Sequence, residues 1–384
     1  MRVAIIHYWL VGMRGGEKVL EALCKIYPEA DIYTHVYDSS AVSVALNART
    51  IKTTFINDLP YAKRLYKKYL PLMPMALEQL DLSKYDLVIS SESGPSKGIV
   101  PNSSAHHICY CHSPMRYIWN MYNQYYSGSG YLSRMLMPPF AHYLRAWDVG
   151  TSSRVDSFVA NSATVAQRIE RYYRRDAQII HPPVDTDAFQ PVGADEVGSN
   201  YLMVGELVAY KRPDLAVEAC NRMQAELVVI GGGEMLGHLR KIAGPTVKIL
   251  GPQPFDVLKY HYARCSALLF PGEEDFGIVP LEAMASGRPV IAFGQGGATE
   301  TVIEGRTGTF FDEQSIDAVT NAIERFEAMD FDPAHAVARA GEFKTQAFID
   351  KFSDFAACSL ARSISGPAER PRPAPVLVRT LEGA

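Results

Sequence analysis

The chain has 384 residues, 47% of them hydrophobic and 21% charged, with a formal net charge of −4. At roughly 150 residues per domain this length asks for two domains, and the composition leaves little room for long disorder. The slightly negative balance excludes a global attraction to nucleic acid, so any anionic ligand must be met by a local basic site.

The cysteines Cys24, Cys109, Cys111, Cys220, Cys265 and Cys358 are too few and too scattered for a disulfide scaffold. They are expected to be reduced thiols in a cytosolic protein. No apolar run approaches the roughly 18 residues of a membrane span. The apolar opening leads into Met13-Arg-Gly-Gly-Glu-Lys18 with no small-residue cleavage site, so it reads as a first strand rather than a leader.

Along the chain, β-branched runs alternate with helical patterns, which predicts parallel sheets with helices on both faces. In the first half, strands are expected at Val3–Tyr8, Asp31–His35, Leu87–Ser90, His107–Cys111 and Ser157–Ala160. A helix over Glu17–Tyr27 follows the first strand across Gly15-Gly16, where small residues either let a ligand approach the backbone or close a tight turn. Tyr61–Leu70 predicts an amphipathic helix, with Lys63, Arg64, Lys67 and Lys68 on one side and Ala62, Leu65, Tyr66, Tyr69 and Leu70 opposite. Such a face suits either solvent or an anionic membrane surface. Tyr122, Tyr125, Tyr126 and Tyr131 offer a carbohydrate-stacking surface or simply pack.

His107, Cys109 and Cys111 alternate onto one side of their strand, but their spacing matches no usual zinc pattern. In the proline-rich stretch His181–Pro191, Asp185-Thr-Asp187 is expected to shape a turn, and no metal site is predicted. Two prolines there stop both helix and strand, and the domain boundary is placed at this stretch. Residues 1–190 form the first expected domain and 191–345 the second. A helix over 346–365 is expected to return to the first domain, and 366–384, rich in proline, is expected to be a flexible tail.

In the second half, strands are expected at Tyr201–Gly205, Glu226–Gly231, Val247–Leu250, Ala267–Phe270 and Val290–Ala292, with Pro213 opening a helix to Cys220. The most informative stretch runs from Phe270 to Ala292. A strand ends, a loop carries Glu273, Glu274 and Gly277, Pro280 opens a helix, and Gly287 and Pro289 stop it. In open α/β sheets, ligands sit at the carboxyl ends of strands, and a helix N-terminus there welcomes an anion. Glu274 and Glu282 flank that N-terminus. Carboxylates repel phosphate, so their fitting partners are neutral hydroxyls of a sugar or ribose.

Glu274 and Glu282, with seven residues between them in Glu-Asp-Phe-Gly-Ile-Val-Pro-Leu-Glu-Ala-Met-Ala-Ser-Gly-Arg-Pro, resemble the signature of the retaining GT-B glycosyltransferases of family 4. The resemblance implies an α/β fold of two doubly wound Rossmann-like domains facing each other across a cleft. It implies that Glu274 holds hydroxyls of the transferred sugar and Glu282 the ribose. The backbone at Phe276, Gly277, Ile278 and Val279 would meet the diphosphate. Gly15 and Gly16 would lie over donor phosphates and acceptor, and His112, in Tyr110-Cys-His-Ser-Pro-Met-Arg-Tyr-Ile-Trp119, beside the donor sugar.

Lys211 matches the family's phosphate-binding lysine, but Glu206 stands where the family usually carries arginine. Arg212 and Lys97 are the expected compensating cations, and Arg116 a further acceptor or phosphate contact. Wider wording, His7–Lys18, Tyr110–Trp119 and Val208–Arg212, is similar to bacterial mannosyltransferases of O-antigen and exopolysaccharide assembly. That implies GDP-mannose as a donor substrate, no cofactor, and a polyprenyl-diphosphate-linked acceptor at the cytoplasmic membrane. Two alternatives stay open: a UDP-sugar transferase or epimerase of the same fold, and a catalytically weak glycan- or nucleotide-binding subunit. A Rossmann dehydrogenase fits poorly, because Leu236 replaces the last glycine of the pattern begun by Gly231 and Gly233.

Overall fold

The computed structural model describes residues 1–364; the expected tail 366–384 lies outside the described residues. The first sheet has seven strands: β1 (Val3–His7), β2 (Asp31–Thr34), β3 (Ile51–Thr53), β4 (Leu87–Glu92), β5 (His106–Cys111), β6 (Ser157–Ala160) and β7 (Ala177–Ile179). The second has six: β8 (Tyr201–Val204), β9 (Leu227–Ile230), β10 (Val247–Gly251), β11 (Leu268–Phe270), β12 (Val290–Phe293) and β13 (Gly308–Phe311). Named pairs in both sheets are parallel.

The sheets repeat one topology. Their orders are β3-β2-β1-β4-β5-β6-β7 and β10-β9-β8-β11-β12-β13. Strand order therefore reverses between β1 and β4 in one half and between β8 and β11 in the other, and such reversals open a crevice at the carboxyl ends of the strands. Central strands are buried along their length because helices cover both faces, and their apolar runs give way to polar residues only toward some ends; β1 reads Val-Ala-Ile-Ile-His and every residue is buried.

Three strands escape the sequence reading: β3, β7 and β13. Each ends or flanks a sheet, and Ile51-Lys-Thr and Ala177-Gln-Ile carry too little apolar character to stand out. Tyr61–Leu70 is also not one helix. A short turn Ala62–Leu65 passes into a 3₁₀ segment Tyr66–Leu72 that contains Pro71, and proline there cannot supply the N–H an α-helix needs. Its sides still sort as expected: Lys63, Arg64, Lys67 and Lys68 are exposed, while Ala62 is buried.

The helix Thr345–Ile364 returns to the first half of the chain. Phe348, Phe352 and Ala356 enter the core formed by Leu20, Leu23 and Tyr110, and Ser359 Oγ lies 2.7 Å from His106 Nε2. The second half thus begins at β8 and ends by crossing back.

Candidate functional site

The neighbouring ends of β8 and β11 build one wall of the cleft. After β8 the chain turns through Gly205 into the 3₁₀ turn Ala209–Lys211; after β11 it enters the loop that carries Glu274. Lys211 Nζ meets Glu274 Oε1 at 2.8 Å, with side chains 14% and 19% exposed, so the pair is sheltered yet reachable. Burial works against the Lys211 ammonium, but Glu274 and Tyr210 outweigh it and hold its pKa above the ordinary lysine value.

The loop turns sharply at Gly277, whose φ of +83° side chains resist, and a Cβ there would lie 2.9 Å from the Phe270 ring. The helix Ile278–Ala285 starts at once, two residues before Pro280. One turn on, Tyr262 O–H donates to Glu282 Oε2 at 2.7 Å. Burial pushes the Glu282 carboxyl up to about 7, against the Tyr262 hydrogen bond and the charge of Lys18.

The opposite wall is the end of β1, β4 and β5. Gly15 opens the helix Gly15–Ile26, and a Cβ on it would come within 2.9 Å of Ile278 Cδ1 across the cleft. A Cβ on Gly16 would sit 2.3 Å from Tyr8 Oη. Side-chain tips of the protein itself, from Ile278 and Tyr8, thus crowd both glycines. His112 follows β5; its backbone N–H donates to the Glu92 carbonyl at 2.7 Å, and its Nε2 lies 2.8 Å from Ser91 Oγ. Burial, with His7 adding to it, pulls His112 down to about 3, so its ring is neutral at physiological pH.

The cations fall differently from expectation. Lys97 is a correction: it is 0% exposed, its ammonium bonded to Asp148 and 3.6 Å from Glu92 Oε1, and it cannot reach a ligand in the cleft. Arg212 turns to Asp214 at 3.1 Å, beside the start of its helix. Arg116 lies over the Tyr210 ring and 3.5 Å from Asp275, so its partners belong to the second half. Arg168, which sequence reasoning missed, also bonds Asp275 and lies 3.6 Å from Glu273.

Glu206 faces the first half too: its Oε2 is 3.7 Å from Arg14 Nη1. An arginine of the other wall thus lies beside Glu206. Both ring nitrogens of His107 are taken, by Ser90 Oγ at 2.8 Å and the Arg154 carbonyl at 2.9 Å. Asp187 pairs with Lys344 at 3.2 Å beside the 3₁₀ turn Thr186–Ala188.

Comparison with known proteins agrees with this architecture. Residues 13–188 match the family described as Glycosyltransferase Family 4, and residues 185–342 match Glycosyl transferases group 1. The GDP-mannose-dependent alpha-(1-6)-phosphatidylinositol monomannoside mannosyltransferase of Mycobacterium tuberculosis H37Rv is 34% identical over 192 residues, 43% of this chain and 50% of that protein. The D-inositol 3-phosphate glycosyltransferase of Mycolicibacterium smegmatis is 28% identical over 244 residues, 57% of this chain and 56% of that protein. The matched segments therefore span about half the length of these relatives. Among solved structures, HepE of Anabaena in complex with UDP-glucose superposes with a TM-score of 0.69 at 15% identity, over 93% of this chain and all of that one. Sucrose-phosphate synthase of Thermosynechococcus elongatus gives 0.71 at 20% identity, over 94% of this chain and 100% of that one. At these identities the structures speak to the fold.

Proposed function

The chain belongs to the family 4 glycosyltransferases of GT-B fold, and from that premise we propose that it moves mannose from GDP-mannose to a lipid-linked glycan, with the anomeric configuration kept and without a metal. The observation that carries this reading is the Lys211–Glu274 pair beside the start of the helix Ile278–Ala285. One cation, one hydroxyl acceptor and a row of free helix N–H groups suit a sugar bound through a diphosphate.

In the proposed reaction the bond between the sugar's anomeric carbon and the diphosphate oxygen breaks, and a bond from the acceptor oxygen forms on the same face. The departing diphosphate takes the acceptor proton. Lys211 and the backbone of Phe276–Val279 steady the growing negative charge; Glu274 accepts hydrogen bonds from the sugar, Glu282 from the ribose, and His112 stands beside the sugar. Arg14 supplies the cation that Glu206 lacks. Support for mannose comes from the relative whose name specifies GDP-mannose. Support for a lipid-linked acceptor comes from Tyr131, Leu132, Met135 and Leu136, which stand exposed along the first turns of the helix Tyr131–Thr151. Among the described residues no helix is long and apolar enough to cross a membrane, so such contact would be peripheral.

Glu206 favours one other reading, a catalytically weak nucleotide- or glycan-binding subunit. Calorimetry with GDP-mannose, GDP and UDP-glucose in chelator-containing buffer tests both. Selective binding of the guanosine compounds is the expected result. Binding of UDP-glucose alone would replace the donor, with product analysis to separate transfer from epimerisation, and binding of none would leave the weak-subunit reading in front.

A further inference from the structure

Beneath His112 runs a line of buried polar groups that the reaction above does not use. His7 ends β1 and pairs in register with Ser91 of the neighbouring β4. His7 Nδ1 lies 3.0 Å from Ser91 Oγ, and the same oxygen lies 2.8 Å from His112 Nε2. At the far end, His7 Nε2 has no hydrogen-bond partner within reach, and its nearest charge is Glu17 Oε1 at 3.7 Å. Glu17, His7 and Ser91 are 2%, 1% and 0% exposed. Polar groups sealed this deeply cost stability unless their hydrogen bonds are ordered.

The order follows from counting protons. A serine hydroxyl has one proton to donate, so of the two rings that share Ser91 Oγ, one accepts and the other donates. The Glu17 carboxylate, held below the usual carboxylate range because contacts with His7 and backbone N–H groups outweigh burial, also accepts from Arg14 N–H at 2.8 Å. It calls for a proton on the facing nitrogen of His7. Where His7 carries a single proton, on Nε2, its Nδ1 is bare, so Ser91 donates to His7 and accepts from His112 Nε2–H. A doubly protonated His7 would donate from Nδ1 as well and reverse this order. With the single proton, the bare nitrogen of His112 is Nδ1, which has no hydrogen-bond partner among the described residues. Tyr8 and Tyr110 pack against these rings, and the phenol of each is pushed above its ordinary value by burial, so they stay neutral.

We propose that Glu17, His7 and Ser91 are positioning residues that lock His112 in the Nε2–H tautomer, so that Nδ1 meets the donor sugar as an acceptor for one of its hydroxyls. This rests on the reading of His112 as a neighbour of the sugar. Histidine ¹⁵N spectra of the whole protein, assigned with His112→Gln and His7→Gln, test the lock directly. The wild type is expected to show His112 protonated on Nε2. In Glu17→Gln and Ser91→Ala both tautomers of His112 should appear, with kcat lowered about tenfold or more and donor KM changed less than about threefold, as for loss of an interaction made mainly in the transition state. A wild-type His112 protonated on Nδ1, or a tautomer unmoved in both variants, overturns the proposal; the wild-type spectrum decides even if a variant fails to fold. His112→Ala judges the underlying reading separately: unchanged turnover would remove His112 from the sugar even with the lock intact.

Discussion

Two lysine–carboxylate groups sit near strand ends, one in each half of the molecule, and they differ in almost everything but composition. Lys97 lies among Glu92 and Asp148 with every charged side chain 0% exposed. Asp148 also accepts from Trp119 Nε1–H at 2.7 Å and Tyr173 O–H at 2.9 Å, and Glu92 Oε2 from Ser96 and the Lys97 N–H, both at 2.7 Å. The other pair, Lys211 and Glu274, keeps part of its surface open and has few other partners. Burial alone would neutralise Lys97, yet Asp148 and Glu92 outweigh it and hold it charged, while burial raises Glu92 to about 7. A fully buried charge group resists the loss of any one member, because the charges left behind have no solvent to turn to; a pair open at a cleft is free to trade its partner for a ligand.

That contrast predicts opposite responses. Lys97→Met strands two carboxylates in the core and should destabilise the protein by about 3–5 kcal/mol, measured by denaturant unfolding, with donor affinity per folded molecule unchanged. Glu274→Ala should leave the melting temperature nearly in place while lowering turnover by about 10²-fold or more, with a much smaller change in donor Kd; equal losses in both would remove Glu274 from its transition-state role.

Glu282 sharpens the cleft side further. Burial raises its carboxyl to about 7 in the free protein, and in the proposed complex the ionised form is the better acceptor for ribose hydroxyls. Donor affinity should therefore fall as pH drops through about 7, by up to about tenfold per unit, and Glu282→Gln should flatten the profile; calorimetry at pH 8, 7 and 6 reads it. The smallest effect is expected at the exposed cross-cleft pair. Arg14→Ala should weaken donor binding by about two- to fivefold, and adding Glu206→Arg to it should restore affinity. No recovery in the double variant would separate Arg14 from the diphosphate.

The residues that speak for themselves in the sequence are those whose role is local. The loop and helix around Glu274, the strand before His112 and the turn at Gly15-Gly16 are each written within a short stretch, because periodicity, glycine and proline act over a few residues. Edge strands such as β3 were lost because a strand covered on fewer sides needs less apolar sequence. Lys97 misled because its position after a strand resembles a ligand cation's, while its true partner, Asp148, lies 51 residues away.

By itself, then, the sequence determined the doubly wound architecture, the family and the carboxylates of the cleft, since hydrophobic pattern and motif spacing need no knowledge of distant contacts. Only the tertiary structure decided which cations have partners at the cleft, that Arg14 lies beside Glu206, that Tyr8 crowds Gly16, and that Glu17, His7 and Ser91 line up under His112. Each of those depends on side chains from separate strands meeting in space, and burial sets the charge and hydrogen-bond direction of a group only once those neighbours are in place.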